Sequence, residues 1–142
     1  MNIKHACLFF PLCVFFSLFA EAEELGELRV HVKGLKSDDG VVRIALYTGQ
    51  AQYEEGKALV GLEAEIIDGE ATIVVLDLPS GEYAIASFHD EDNDGEHNKN
   101  MLGMPTEAYA FSNDATGRFG PAKYEDAKFL YSSTLNVHVL NY

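Results

Sequence analysis

The chain has 142 residues, with 23 acidic side chains against 10 basic ones and a formal net charge of −13. That excess excludes nucleic acid and anionic membrane surfaces as partners, since both carry the same sign. It suits a protein that stays in solution or gathers cations, and nothing after residue 22 is apolar for long enough to span a bilayer.

The first residues read as a targeting segment. Lys4 and His5 give a short positive start, residues 6–20 are an apolar run, and Ala20-Glu21-Ala22 has the small-x-small form of a cleavage site. A secretory signal peptide over residues 1–22 is expected, with cleavage after Ala22 and residues 23–142 left as one domain. The destination is then periplasmic or secreted. Both cysteines, Cys7 and Cys13, lie in that leader, so the 120 remaining residues have neither disulfide nor thiol nucleophile. They suffice for a single core.

Short β-type runs follow. Leu28, Val30 and Val32 alternate with polar residues, then Val42, Ile44 and Leu46 do the same across the turn at 37–40. Period two marks half-buried strands, and this pair reads as a first hairpin. Residues 48–61 form a loop with one helical turn. Leu62, Ala64 and Ile66 give a third strand, Asp68-Gly69 a two-residue hairpin turn, and residues 71–76 a fourth strand. Residues 78–81 turn the chain into a fifth strand over 83–89. Its inward face is read as Tyr83, Ile85, Ser87 and His89, the face with the larger side chains. A short strand at 108–111, a loop, a helical stretch at 124–130 and a last alternation of Leu135, Val137 and Val139 complete the chain. The fold expected is all-β: one antiparallel β-sandwich, immunoglobulin-like or transthyretin-like, of six to seven strands with at most one short helix. A small barrel is the alternative.

The stretch after the fifth strand is the densest in chemistry. Five carboxylates, Asp90, Glu91, Asp92, Asp94 and Glu96, fall within seven residues. Like charges so crowded call for a cation or full solvation. Asp90-x-Asp92-x-Asp94-Gly95 is the first half of a calcium loop: oxygens at positions one, three and five, and glycine at six for the sharp turn. Glu96 and Asn98 follow at positions seven and nine. Position twelve is Met101, where a helix-loop-helix site has its bidentate glutamate. Glu107 and Asp114 are the carboxylates expected to complete the shell from a distance. The expected metal ligands are thus Asp90, Asp92, Asp94, Glu96, Asn98, Glu107 and Asp114, and the expected ion is calcium.

Two segments of this stretch, with three others, resemble a family. Residues 78–86, 89–95, 103–107, 111–113 and 124–127 are together similar to the bacterial family called domain of unknown function 2141. The resemblance implies an exported bacterial protein with a compact β fold, and no reaction. Ser87 departs from the aliphatic residue the family pattern leads one to expect.

Three other chemistries compete with calcium. His89 and His97 with a carboxylate would suit a transition metal, although a structural histidine at a strand end is the commoner case. His89, Asp90 and Glu107 would suit a hydrolase-type acid–base site. The aromatics Tyr109, Phe111, Phe119, Tyr124, Phe129 and Tyr131 would offer a surface for a protein or small ligand, against the commoner role of packing. The leading function is a small exported binding or structural module whose acidic loop binds calcium.

Overall fold

The computed structural model describes residues 24–134 and 136–142. The expected leader, its cleavage point and Leu135 lie outside the described residues. Among these, eight strands form: β1 (Leu25–Lys33), β2 (Val41–Tyr47), β3 (Val60–Glu65), β4 (Ala71–Pro79), β5 (Gly81–Asp90), β6 (Tyr109–Phe111), β7 (Phe129–Tyr131) and β8 (Val137–Asn141). Two short helices, α1 (Gln50–Glu54) and α2 (Tyr124–Ala127), and a 3-10 turn at Ser112–Asp114 complete the set. The strand beyond the expected six to seven is β7, which replaces the end of the helical stretch read over 124–130, since α2 stops at Ala127; the second helix arises because both short helical turns, α1 and α2, form. At three residues β7 is too short to show alternation.

The strands make two sheets, a three-stranded one in the order β4–β1–β8 and a five-stranded one in the order β3–β2–β5–β6, where β7 also pairs with β5. The fold is all-β and sandwich-like, with β1–β8 its one parallel pair among the described residues. Inward faces of both sheets supply the core: Leu28, Val30 and Val32 from β1, Val42, Ile44 and Leu46 from β2, Ile73 and Val75 from β4, Tyr83 and Ile85 from β5. Each large aliphatic buried this way contributes roughly 1.5–3 kcal/mol.

The expected hairpins are rearranged. β1 and β2 do not pair; β1 lies between β4 and β8, and β2 between β3 and β5. Residues 37–40 therefore cross from one sheet to the other. Asp68 and Gly69 do form a tight turn, with Ile67 and Glu70 exchanging backbone bonds of 2.9 and 3.1 Å. Beyond that single bridge β3 and β4 part into different sheets. The Asp38 carboxylate accepts the amides of Asp68 and Gly69 at 3.0 and 2.8 Å, so one crossover turn braces the other. The true hairpin is β2–β3, whose loop carries α1. Alternation shows that a strand is half buried; it does not say which sheet takes it.

β5 faces as expected, with Tyr83, Ile85, Ser87 and His89 all inward and buried. Ser87 fits because its hydroxyl bonds the hydroxyl of Tyr142. β8 corrects its reading. Val137 and Val139 point outward, and Leu140 enters the core. The parallel register places His138 and Leu140 beside Val30 and Val32, the buried residues of β1, and this fixes the parity.

The outer face of the five-stranded sheet is covered as well. Ala84, Phe111, Ala122, Tyr124 and Ala127 form a second apolar cluster there, with Tyr53 and Ala86 against it. At the opposite end of β5 the acidic loop lies over the same face.

Candidate functional site

The site begins where β5 ends. Asp90 is the last residue of that strand, opposite Val41, and it is 0% exposed. A bare buried carboxylate is costly, so its oxygens must be filled. Arg43 on β2 supplies the charge, its Nε donating to Asp90 Oδ2 at 2.5 Å. Loop amides supply the rest, Asp94 N–H donating to Oδ1 at 3.1 Å and Gly95 N–H to Oδ2 at 2.9 Å. The spacing explains the glycine, since Gly95 turns at φ +83° to aim its amide back at Asp90. Burial pushes the Asp90 carboxyl up; the Arg43 bond and the two amides outweigh it and hold the group below the usual carboxylate range. The Asp90 bond in turn raises Arg43.

Glu107 closes the loop from its far side. It is buried, and its two oxygens accept the amides of Glu91 at 3.0 Å and Asn98 at 2.9 Å. Asn98 passes the tie on, its Nδ2 donating to Asp92 Oδ2 at 3.1 Å and Asp94 Oδ2 at 3.4 Å. As a result Asp90, Asp92 and Glu107 each place one oxygen within 4.8 Å of the others. Two segments separated by fifteen or more residues of sequence are thus brought to one point.

The remaining expected ligands are placed differently. Asp94 braces Glu96 and Asn98 and stands beside the triad rather than in it. Glu96 is exposed and enters the network through its backbone amide. Asp114 is a correction. It sits on the 3-10 turn and accepts a bond from Asn141 of β8 at 2.9 Å, outside the triad, because the chain after β6 runs back along β5 toward Ile85.

The histidines are separated. His89 points inward, is 1% exposed, and its Nε2 lies 2.7 Å from the carbonyl of Asp39, which requires that nitrogen to donate. His97 lies on the outer face, stacked on Phe88 at 5.2 Å. Opposite faces of one sheet cannot share a transition metal. The acid–base reading loses its base too, since a ring so buried and so engaged meets no substrate. The aromatic surface is mostly interior: Phe111, Tyr124 and Tyr131 are buried, while Tyr109 and Phe119 are exposed.

Two residues went unremarked in the sequence. Arg43 is the only charged residue of β2, and its guanidinium reaches Asp90, Glu63 and, at 3.0 Å, Asn93. A lone cation in a strand that pairs with an acidic strand end was the available signal. Gly40 is the other. It takes φ +67°, and a Cβ there would fall 1.9 Å from the Asp90 carbonyl oxygen, so the crossover turn packs directly on the base of the site.

A family model matches residues 30–138, and its description is an uncharacterised protein conserved in bacteria. The chain belongs to the domain of unknown function 2141 family. No curated protein and no solved structure is significantly similar to it. Membership agrees with the residues that carried the resemblance and assigns the triad no role.

Proposed function

We propose that this member of the family is an exported binding or structural module, directed by its leader, whose loop takes calcium between Asp90, Asp92 and Glu107. The observation that carries the reading is the meeting of those three oxygens within 4.8 Å. Oxygen ligands at about 2.3–2.6 Å from a calcium ion stand at most about 5 Å apart across it. Lone-pair accounting agrees. Asp90 Oδ1, both oxygens of Asp92 and both of Glu107 each accept one hydrogen bond, which leaves every one a second acceptor position. Charge agrees as well. Residues 90–107 hold six carboxylates, and only Lys99 within the stretch and Arg43 beside it oppose them. The ion would fasten the end of β5 to the segment before β6.

A second reading follows from Arg43, whose guanidinium already lies against Asp90. In it the arginine and the loop amides suffice, and the module is metal-free. Melting the full chain in millimolar calcium and in chelator separates the two. At a hundredfold excess over Kd, an ion that binds only the folded state adds about 2.7 kcal/mol, on the order of 10 °C for a domain of this size. Asp92→Ala with Asp94→Ala erases that rise if the ion is held here. An unchanged melting temperature leaves the metal-free module.

A further inference from the structure

Beyond the triad the loop rises into a short hairpin whose tip is apolar. Met101 is fully exposed, Leu102 is 87% exposed and Met104 is 61% exposed. Of the chain's three methionines, Met1, Met101 and Met104, two stand in this turn. The tip is built rather than slack. Asn100 Oδ1 accepts the amides of Leu102 and Met104 at 2.9 and 3.1 Å, and the Asn100 amide donates to the Met104 carbonyl at 2.8 Å. Lys99 bridges Pro105, and below it Thr106 N–H donates to the Asn98 carbonyl at 2.9 Å. Asn98 is itself clamped by Asp92, Asp94 and Glu107. Three adjacent apolar side chains held out by so many bonds are not scattered surface residues. Thioether side chains also adapt to varied partner surfaces.

We propose that this tip is a docking plug for a partner protein whose apolar pocket is rimmed by lysine and arginine. Charge complementarity selects the occupant. The root of the hairpin carries Glu91, Asp92, Asp94 and Glu96, all exposed, against Lys99 alone. Glu91 and Glu96 lie outside the triad and keep the collar negative with or without an ion. An anionic bilayer and a second copy of this chain, at a net charge of −13, both bring like charge to it. A basic rim around an apolar pocket meets the collar and the tip together, and it steers the encounter.

The test uses the full chain in its own bacterial cell, with a benzophenone side chain replacing Leu102, or replacing Leu76, 66% exposed on β4, as control. The expected result on illumination is one discrete protein adduct from position 102 and none from position 76. Glu96→Lys, which changes an exposed side chain outside the bracing network, reduces the adduct at least tenfold. The cross-linked partner peptide carries Lys or Arg beside apolar residues. With the photoreactive group moved to position 104, Met101→Ser with Leu102→Ser abolishes the adduct at an unchanged melting temperature. Four results overturn the proposal: no adduct, an adduct of two copies of this chain, an adduct with lipid alone, or a protein adduct that Glu96→Lys leaves undiminished.

Discussion

The outer face of the five-stranded sheet is covered twice, by different chemistry at its two ends. Over Asp90 the cover is a loop held by carboxylates on backbone amides and on one guanidinium. Over Ala84 it is a pack of rings and small side chains, with Tyr47 on Tyr53 at 5.1 Å and Tyr53 on Tyr124 at 5.7 Å. The first end depends on bonds of fixed number and direction, so losing one partner strands the others. The second depends on area removed from water, which falls off gradually as atoms are removed. Salt, acid and cations therefore act on the first end, and side-chain volume acts on the second.

The largest effects come from removing the centre of each cover. Asp90→Ala takes the carboxylate from Arg43, leaves the Gly95 amide without its acceptor and the Asp94 amide with only its 3.3 Å bond to Asp92 Oδ1, and breaking such a buried pair costs about 3–5 kcal/mol. Arg43 retains Glu63 and some solvent, which puts the loss toward the lower figure. Phe111→Ala at the other end costs about 3–5 kcal/mol through the cavity it opens. Urea unfolding reads both. If the comparison holds, hydrogen exchange after Asp90→Ala rises at residues 91–107 and not in α2, and the reverse holds for Phe111→Ala.

Gly40→Ala is the next largest. The left-handed φ alone costs about 1–3 kcal/mol in a residue with a side chain, and the new methyl must also push the Asp90 carbonyl aside. A loss confined to the acidic end, read by exchange at Asp94 and Gly95, ties the crossover turn to the site. A uniform loss across both ends removes that tie.

The pH dependence divides the same way. Asp90 titrates below the ordinary carboxylate value, so its contribution is complete above the unfolded pKa of about 3.9 and is lost as pH falls through the folded value. Tyr53 is pushed up to about 12, by burial first and by Tyr47 second. Its contribution is complete below the unfolded value of about 10 and is lost as pH rises from there toward 12. Asp90→Asn should flatten the acid limb of a stability-against-pH curve, and Tyr53→Phe the alkaline limb. A variant that flattens the opposite limb breaks the division.

How much of this was legible in the sequence follows from which interactions are local. Asp90, Asp92 and Asp94 find their amides within five residues, so DxDxDG marked a tight loop, while its closure onto the Asp90 carboxylate is a finding of the structure. Alternation showed β1 and β2 for the same reason, and the larger side chains picked out the inward face of β5. What escaped was long-range. Arg43 is 47 residues from Asp90 and meets it only because β2 pairs with β5. Glu107 was within reach as a guess; Asp114, seven residues on, was not separable from it until the path after β6 was known. Val137 and Val139 look like core on any hydropathy scale, and only the register with β1 turns them outward.

The smallest predicted effect is the one that tests whether the aromatic end depends on area alone. Tyr124 packs in the second cluster and also donates its hydroxyl to Glu82 at 3.1 Å. Burial raises its pKa first, and the Glu82 bond raises it further. Tyr124→Phe keeps the ring and removes the bond, at a cost of about 0.5–1.5 kcal/mol. Glu82 keeps Lys128 at 3.4 Å and is itself part-exposed, so it is not left stranded as the partners of Asp90 are. The loss should therefore fall at the low end of that range and change little with salt. A loss as large as that of Asp90→Ala would show that the ring cover also hangs on a single polar contact, and the contrast between the two ends would fail.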